Sequence, residues 1–207
     1  MNAQTEFLKV TGPSGSLEVA VDRPTGDVRG TAVIAHPHPL HGGTFTNKVV
    51  QTLARACVQS GWTAVRFNFR GVGQSEGVYD EGRGELQDLL AVTASLAPSG
   101  PLCLAGFSFG AFVTSHAVAY MHAARSIEHV VLVGVAASRF DVAPIPAELH
   151  SRTLVIHGEM DDTVPLTSVM DWARPQSLPV MVVPGGAHFF HGQLPLLREL
   201  AWRHMQA

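Results

Sequence analysis

Pro101-Leu-Cys-Leu-Ala-Gly-Phe-Ser-Phe-Gly-Ala-Phe-Val-Thr-Ser-His-Ala-Val-Ala-Tyr-Met121 is the stretch that decides the fold. Its first five residues are apolar and strand-like, residues 111–121 form an unbroken helical segment, and between them lies a G-x-S-x-G turn centred on Ser108. A serine on so sharp a strand-to-helix turn crowds its neighbours against the backbone, which is why glycine is needed at 106 and 110. The same five-residue pattern recurs at Gly73-Gln-Ser-Glu-Gly77. There Gly82 and Gly84 follow, no helix starts cleanly, and Ser75 reads as a loop serine in a turn or cap.

Working outward, short runs rich in Val and Ile recur at 31–35, 63–69, 102–105, 129–135, 153–157 and 180–183. Segments of helical periodicity separate or follow them at 46–59, 85–96, 109–123, 166–172 and 194–205. That alternation predicts a mostly parallel central sheet with helices on both faces. Ahead of it, 6–10 and 16–21 alternate around Thr11-Gly-Pro-Ser-Gly15 and predict an antiparallel hairpin at the sheet edge. The 17 residues from 136 to 152 carry Pro and aromatic interruptions in place of a long helical pattern, so no lid domain fits there. We find no repeat or linker and expect one α/β domain over 1–207.

Composition narrows the function classes. The chain has 207 residues, 46% hydrophobic and 15% charged, enough for one sizeable core. Lys and Arg number 14 against 17 Asp and Glu, a formal net charge of -3, so no basic surplus exists to neutralise nucleic acid. The start MNAQTEFLKV lacks the cationic and apolar regions of a secretion signal, and no apolar stretch approaches a membrane span. We therefore expect a cytoplasmic protein with no nucleic-acid or membrane partner. Cys57 and Cys103 lack metal spacing and read as buried reduced thiols.

A serine hydroxyl is a poor nucleophile near neutral pH. Ser108 needs a histidine within hydrogen-bond reach, and that histidine needs a carboxylate to hold its tautomer. Where a G-x-S-x-G elbow carries such a set, the acid and then the histidine follow in chain order. Two later loops, each at the carboxyl end of a strand, supply these types: Gly158-Glu-Met-Asp-Asp-Thr-Val-Pro165 and Pro184-Gly-Gly-Ala-His-Phe-Phe-His191. Asp161 is the chosen acid, with Glu159 and Asp162 left open because spacing does not decide among three carboxylates. Asp162, just ahead of Val164-Pro165, also reads as a turn or helix cap. His188 is the chosen base and His191 the second candidate.

His36-Pro-His-Pro-Leu-His-Gly-Gly43 invites a metal reading. We set it aside, since alternate prolines splay the side chains and no carboxylate or cysteine completes a shell. The loop is instead expected to supply a second oxyanion amide beside that of Phe109, which opens the helix after Ser108. Pro37 and Pro39 have no N–H, leaving His38 as first choice and Leu40 next.

Taken together, His36–Gly43 with Asn47-Lys48 after it, Arg66–Gly77, Gly106–Gly110, the HGEMDD run at 157–162 and Ala187–Gly192 resemble the compact bacterial α/β-hydrolases related to dienelactone hydrolases and small serine esterases. The resemblance runs from Thr31 to His191. It implies the α/β-hydrolase fold without a lid and carries the nucleophile to Ser108, the acid to Asp161 and the base to His188. A dienelactone hydrolase has a cysteine at the nucleophile position, so its lactone activity is not implied. The expected reaction is hydrolysis of small carboxylic esters, short-chain because the site is open, through an acyl-enzyme and without cofactor or metal. Phe107, Phe109, Phe189 and Phe190 are expected to flank the pocket. A thioesterase or peptidase with the same triad, or a non-catalytic ligand-binding protein, are the alternatives. Asn68 and Arg70 are expected to be mainly structural.

Overall fold

The two alternating segments near the start of the chain pair as β1 (Glu6–Gly12) and β2 (Gly15–Asp22), an antiparallel hairpin that buries Val10, Leu17, Val19 and Val21. A computed structural model describes residues 5–206; residues 1–4, part of the stretch read for a secretion signal, lie outside the described residues. Beyond the hairpin come β3 (Gly30–Ala35), α1 (Lys48–Gln59), β4 (Trp62–Phe67), α2 (Arg83–Leu96), β5 (Leu102–Phe107) and α3 (Phe109–Met121). The remainder is β6 (Ile127–Val133), β7 (Thr153–Gly158), α4 (Leu166–Ala173), β8 (Val180–Val183) and α5 (Leu194–His204). Among the described residues no helix is long and apolar enough to cross a membrane.

The strands form one sheet in the order β1-β2-β4-β3-β5-β6-β7-β8. Pairings from β4 through β8 are parallel, and β2 meets β4 antiparallel. This is the mostly parallel sheet with an antiparallel N-terminal pair and no lid that the strand pattern predicts. Two cores flank it, because successive side chains of a strand point to opposite faces. On β5, Leu102 and Leu104 join α2, α3 and α4 on one face, while Cys103, Ala105 and Phe107 join α1 and α5 on the other. Cys57 meets Cys103 in that second core, and both are free thiols.

Chain order places the site. The connection from β3 leads outward to β4, then crosses back over β3 to β5, whose own connection leads the other way to β6. Loops after β3 and β5 therefore diverge and leave a crevice at the carboxyl ends of the strands, where open α/β sheets bind ligands.

Local chemistry holds the loops around that crevice. Asn47 caps α1, its side chain accepting from the amides of Val49 and Val50. Arg70 donates from its backbone N, Nε and Nη2 to the carboxylate of Asp88 on α2, at 3.0, 3.0 and 2.7 Å. Asn68 accepts from the amide of Phe45 and donates to Glu18, at 2.8 Å each. Ser75 donates to the carbonyl of Asn68 and accepts from the amide of Glu18, so it is a buried clasp within the loop.

Candidate active site

Ser108 stands between β5 and α3 with φ 57° and ψ -116°, a left-handed conformation that costs a non-glycine residue energy. Its amide bonds the carbonyl of Val133 at 2.8 Å. The strained turn survives because its flanks are glycine. A Cβ on Gly110 would meet the carbonyl oxygen of Ala35, and one on Gly106 would meet that of Gly110 itself. As the first residue of α3, Phe109 has an amide with no acceptor one turn earlier in its helix.

The loop after β8 brings His188 over this turn. Its Nδ1 donates to Asp161 Oδ2 at 2.7 Å, and its Nε2 lies 3.0 Å from Ser108 Oγ. With the proton on Nδ1, Nε2 is free to accept from the serine hydroxyl. The ring rests on Phe107, centroids 4.9 Å apart, and Gly134 leaves it room: a Cβ there would stand 3.3 Å from His188 Cε1.

Asp161 sits in the loop after β7, and its Oδ1 accepts from the amides of Thr163 and Val164 at 3.0 and 2.7 Å. Burial alone pushes this carboxyl up, but the hydrogen bonds from His188 and Val164 and the charge attraction of His188 and His157 outweigh it, so the group is held below its ordinary value. It stays anionic. The two rival carboxylates are otherwise engaged: Glu159 accepts from the amide of Gly185 at 2.9 Å, and Asp162 accepts from the hydroxyl of Thr163 at 3.3 Å.

His157 is a further functional residue, one that motif spacing does not single out. Fully buried on β7, it donates from Nε2 to the carbonyl of Val164 at 2.9 Å and lies 3.5 Å from Asp161 Oδ2. Burial lowers its proton affinity, so it is a neutral clamp on the loop that presents Asp161. The HGEMDD run contained the signal, but nothing in spacing says that a strand residue reaches forward to its own loop.

The histidine-rich loop is fastened by its own rings. His36, fully buried, donates from Nδ1 to the carbonyl of Pro37 at 2.6 Å and accepts at Nε2 from the amide of Phe69 at 3.1 Å. Burial pushes it down to about 4, against the opposing hydrogen bond to Pro37. His38 accepts at Nδ1 from the amide of Leu40 at 3.2 Å, which puts its proton on Nε2, 3.2 Å from the hydroxyl of Tyr79. The Leu40 amide is thereby spent, and its side chain is exposed, so the expectation of Leu40 as an oxyanion donor is corrected. Among the described residues the His38 amide makes no hydrogen bond.

Ser108 and His188 open onto a cleft of about 610 Å³ whose wall includes His38, Phe109, Phe140, Val164 and Phe189. Two of the four phenylalanines expected to flank it do not. Phe107 and Phe190 are wholly buried in the core on the α1 and α5 face, off the cleft wall, so their expected place against substrate is corrected. Phe107 is a floor under His188. Phe190, at φ 51°, anchors the loop that carries His188, its burial offsetting the left-handed backbone. Phe189 is the partly exposed ring at the mouth.

Comparison with known proteins places this geometry among relatives. The sequence profile of the S15 family, described as X-Pro dipeptidyl-peptidase, matches residues 14–144, a span that includes Ser108 but ends before Asp161 and His188. An α/β serine hydrolase without a lid from Xanthomonas campestris is 38% identical, with a TM-score of 0.87 over 100% of this chain and 95% of that one. An α/β serine hydrolase homologue from Coxiella burnetii is 40% identical, with a TM-score of 0.83 over 98% and 97% of the two chains. An uncharacterised protein of Rickettsia prowazekii is 30% identical over 86% of this chain and 79% of its own length.

Proposed function

The chain belongs to the S15 family of α/β serine hydrolases, and from that premise we propose that it cleaves short-chain carboxylic esters through an acyl-enzyme on Ser108, with His188 as base and Asp161 as its orienting acid. One observation carries the reading: a single imidazole touches the serine hydroxyl with one nitrogen and a buried carboxylate with the other. His188 takes the proton as Oγ attacks the carbonyl carbon, and Asp161 stabilises the imidazolium. The same histidine then protonates the leaving alcohol. In the second half it activates a water that releases the acid.

Charge that develops on the carbonyl oxygen has the amide of Phe109 at hand, at the positive end of α3. The amide of His38 is the second donor in this reading, since the Leu40 amide is occupied. The fastened rings of His36 and His38 support it by holding the loop rigid, which is what a preorganised donor requires. Short acyl groups suit a cleft without a lid, with Phe189 half-exposed at its mouth.

The decisive measurement is labelling by a fluorophosphonate probe. Native protein is expected to react and Ser108→Ala to remain unlabelled; a folded native chain that ignores the probe, or equal labelling of both, refutes the nucleophile. Rates on matched ester, thioester and peptide substrates then separate an esterase from the thioesterase and peptidase that the same groups would serve.

A further inference from the structure

The charge of the cleft wall points to a class of substrate. Among the described residues that line it none is Asp or Glu; Asp161 lies behind His188, off the wall. Besides His188, three groups able to carry positive charge line it: His38, His41 and Arg139. Arg139 sits in a tight turn after β6, its amide bonded to the carbonyl of Ala136 at 3.1 Å. The next residue, Phe140, is stacked on Phe112 at 4.7 Å, which holds the turn in place. The guanidinium of Arg139 makes no hydrogen bond or ion pair among the described residues. It also borders a neighbouring hollow containing Glu81 and Asp141, yet Glu81 pairs with Arg83 instead, at 3.6 Å. Its charge reaches into the cleft all the same: after burial, the neighbouring His41 and Arg139 both make His38 harder to protonate.

A cleft with a guanidinium on its wall and no carboxylate is poorly built for the free α-ammonium that a dipeptidyl-peptidase must hold to count two residues from a chain end. It is well built for the opposite charge. We infer that the cleft selects esters bearing a second, ionised acid group, a carboxylate on the acyl or the alcohol side, which docks on the guanidinium of Arg139. This inference rests on the hydrolase reading above and names its substrate class. A planar guanidinium fits a carboxylate with two parallel hydrogen bonds, and a cleft lined by one sign of charge concentrates the oppositely charged ligand.

The test compares matched esters. Monoethyl glutarate against ethyl valerate places the anion on the acyl side, and acetoxyacetate against propyl acetate places it on the alcohol side. In at least one pair the anionic member is expected to be favoured in kcat/KM by about ten-fold or more, the scale of one charge-assisted contact. Arg139→Gln should erase that preference through KM, Arg139→Lys should restore part of it, and Arg174→Gln, a surface cation paired with Asp171, should leave it intact. The pair that responds tells which side carries the anion. Preference for the neutral member in both pairs, or an equal effect of Arg139→Gln on both members, overturns the inference. Calorimetric binding of the same esters to Ser108→Ala separates it from the parent reading. Arg139-dependent preference for the anion without turnover by the native chain sinks the hydrolase reading alone, and turnover without preference sinks this one alone.

Discussion

The Nε2 atom of His188 stands 3.0 Å from the hydroxyl of Ser108, although 80 residues separate the two along the chain. Parallel strands make this possible. β5 and β8 end on the same edge of the sheet, so the turns that follow them lie side by side however much chain lies between. What the relationship implies is testable at the groups on either side of it.

Asp161 accepts from His188 on one oxygen and from two loop amides on the other. In Asp161→Asn the remaining carbonyl oxygen stays with the amides and the NH₂ faces the ring, forcing the proton onto Nε2, where it blocks attack by serine. Turnover is expected to fall about 10⁴-fold with little change in melting temperature. Steady-state rates with a small ester check this. A loss under ten-fold would mean that Asp161 does not set the tautomer.

Gly110→Ala places a methyl against the carbonyl oxygens of Ala35 and His36, which are backbone and cannot swing aside. The clash should cost about 1–3 kcal/mol and disturb the turn that presents Ser108, slowing fluorophosphonate labelling as well. Gly26→Ala is the control, because its Cβ would meet nothing within 4 Å. Thermal melts and labelling rates report both effects, and an unaffected Gly110→Ala would contradict the close approach.

His36 binds a proton at about 4 in the native state, against an ordinary value of 6.5 for the unfolded chain. Between these two values the unfolded chain takes up a proton that the native one refuses. Stability is therefore full above about pH 6.5 and declines as pH falls toward 4, by about 3 kcal/mol at most from this one residue. Urea unfolding at pH 7.5 and 4.5 measures the decline. In His36→Gln it should be shallower, and an identical slope would show that the ring is not held neutral.

The pair of Arg70 and Asp88 is buried, the carboxylate entirely and the guanidinium nearly so. Asp88→Ala strands a buried cation and should destabilise by about 3–5 kcal/mol, whereas Arg70→Met combined with Asp88→Leu should recover most of that. Denaturant titration of the single and double variants decides it. A double variant no better than Asp88→Ala would argue that the pair contributes more than mutual compensation.

Sequence by itself determined the architecture and the identity of the turn at Ser108. Alternating strand and helix periods, and glycines at 106 and 110, are local signals whose meaning does not depend on distant residues. Strand ends show where local information stops: β4 reads as running to Phe69 but ends at Phe67, and the amides of Phe69 and Arg70 bond to the side chains of His36 and Asp88 instead of a neighbouring strand. Loop side chains lie beyond that reach. Three carboxylates within four positions look alike in a string, and only folding turns Asp161 toward His188, Glu159 toward Gly185 and Asp162 toward solvent. In the same way Phe189 and Phe190 are adjacent and chemically identical, yet a left-handed backbone at Phe190 sends one ring into the core while the other stays at the cleft mouth. His157 stands in the HGEMDD run, but its role exists only relative to the folded loop it clamps, and that of Arg139 only relative to a cleft that other strands build. Tertiary structure decided these matters because a loop residue's direction is set by its backbone angles and by partners supplied from elsewhere in the chain.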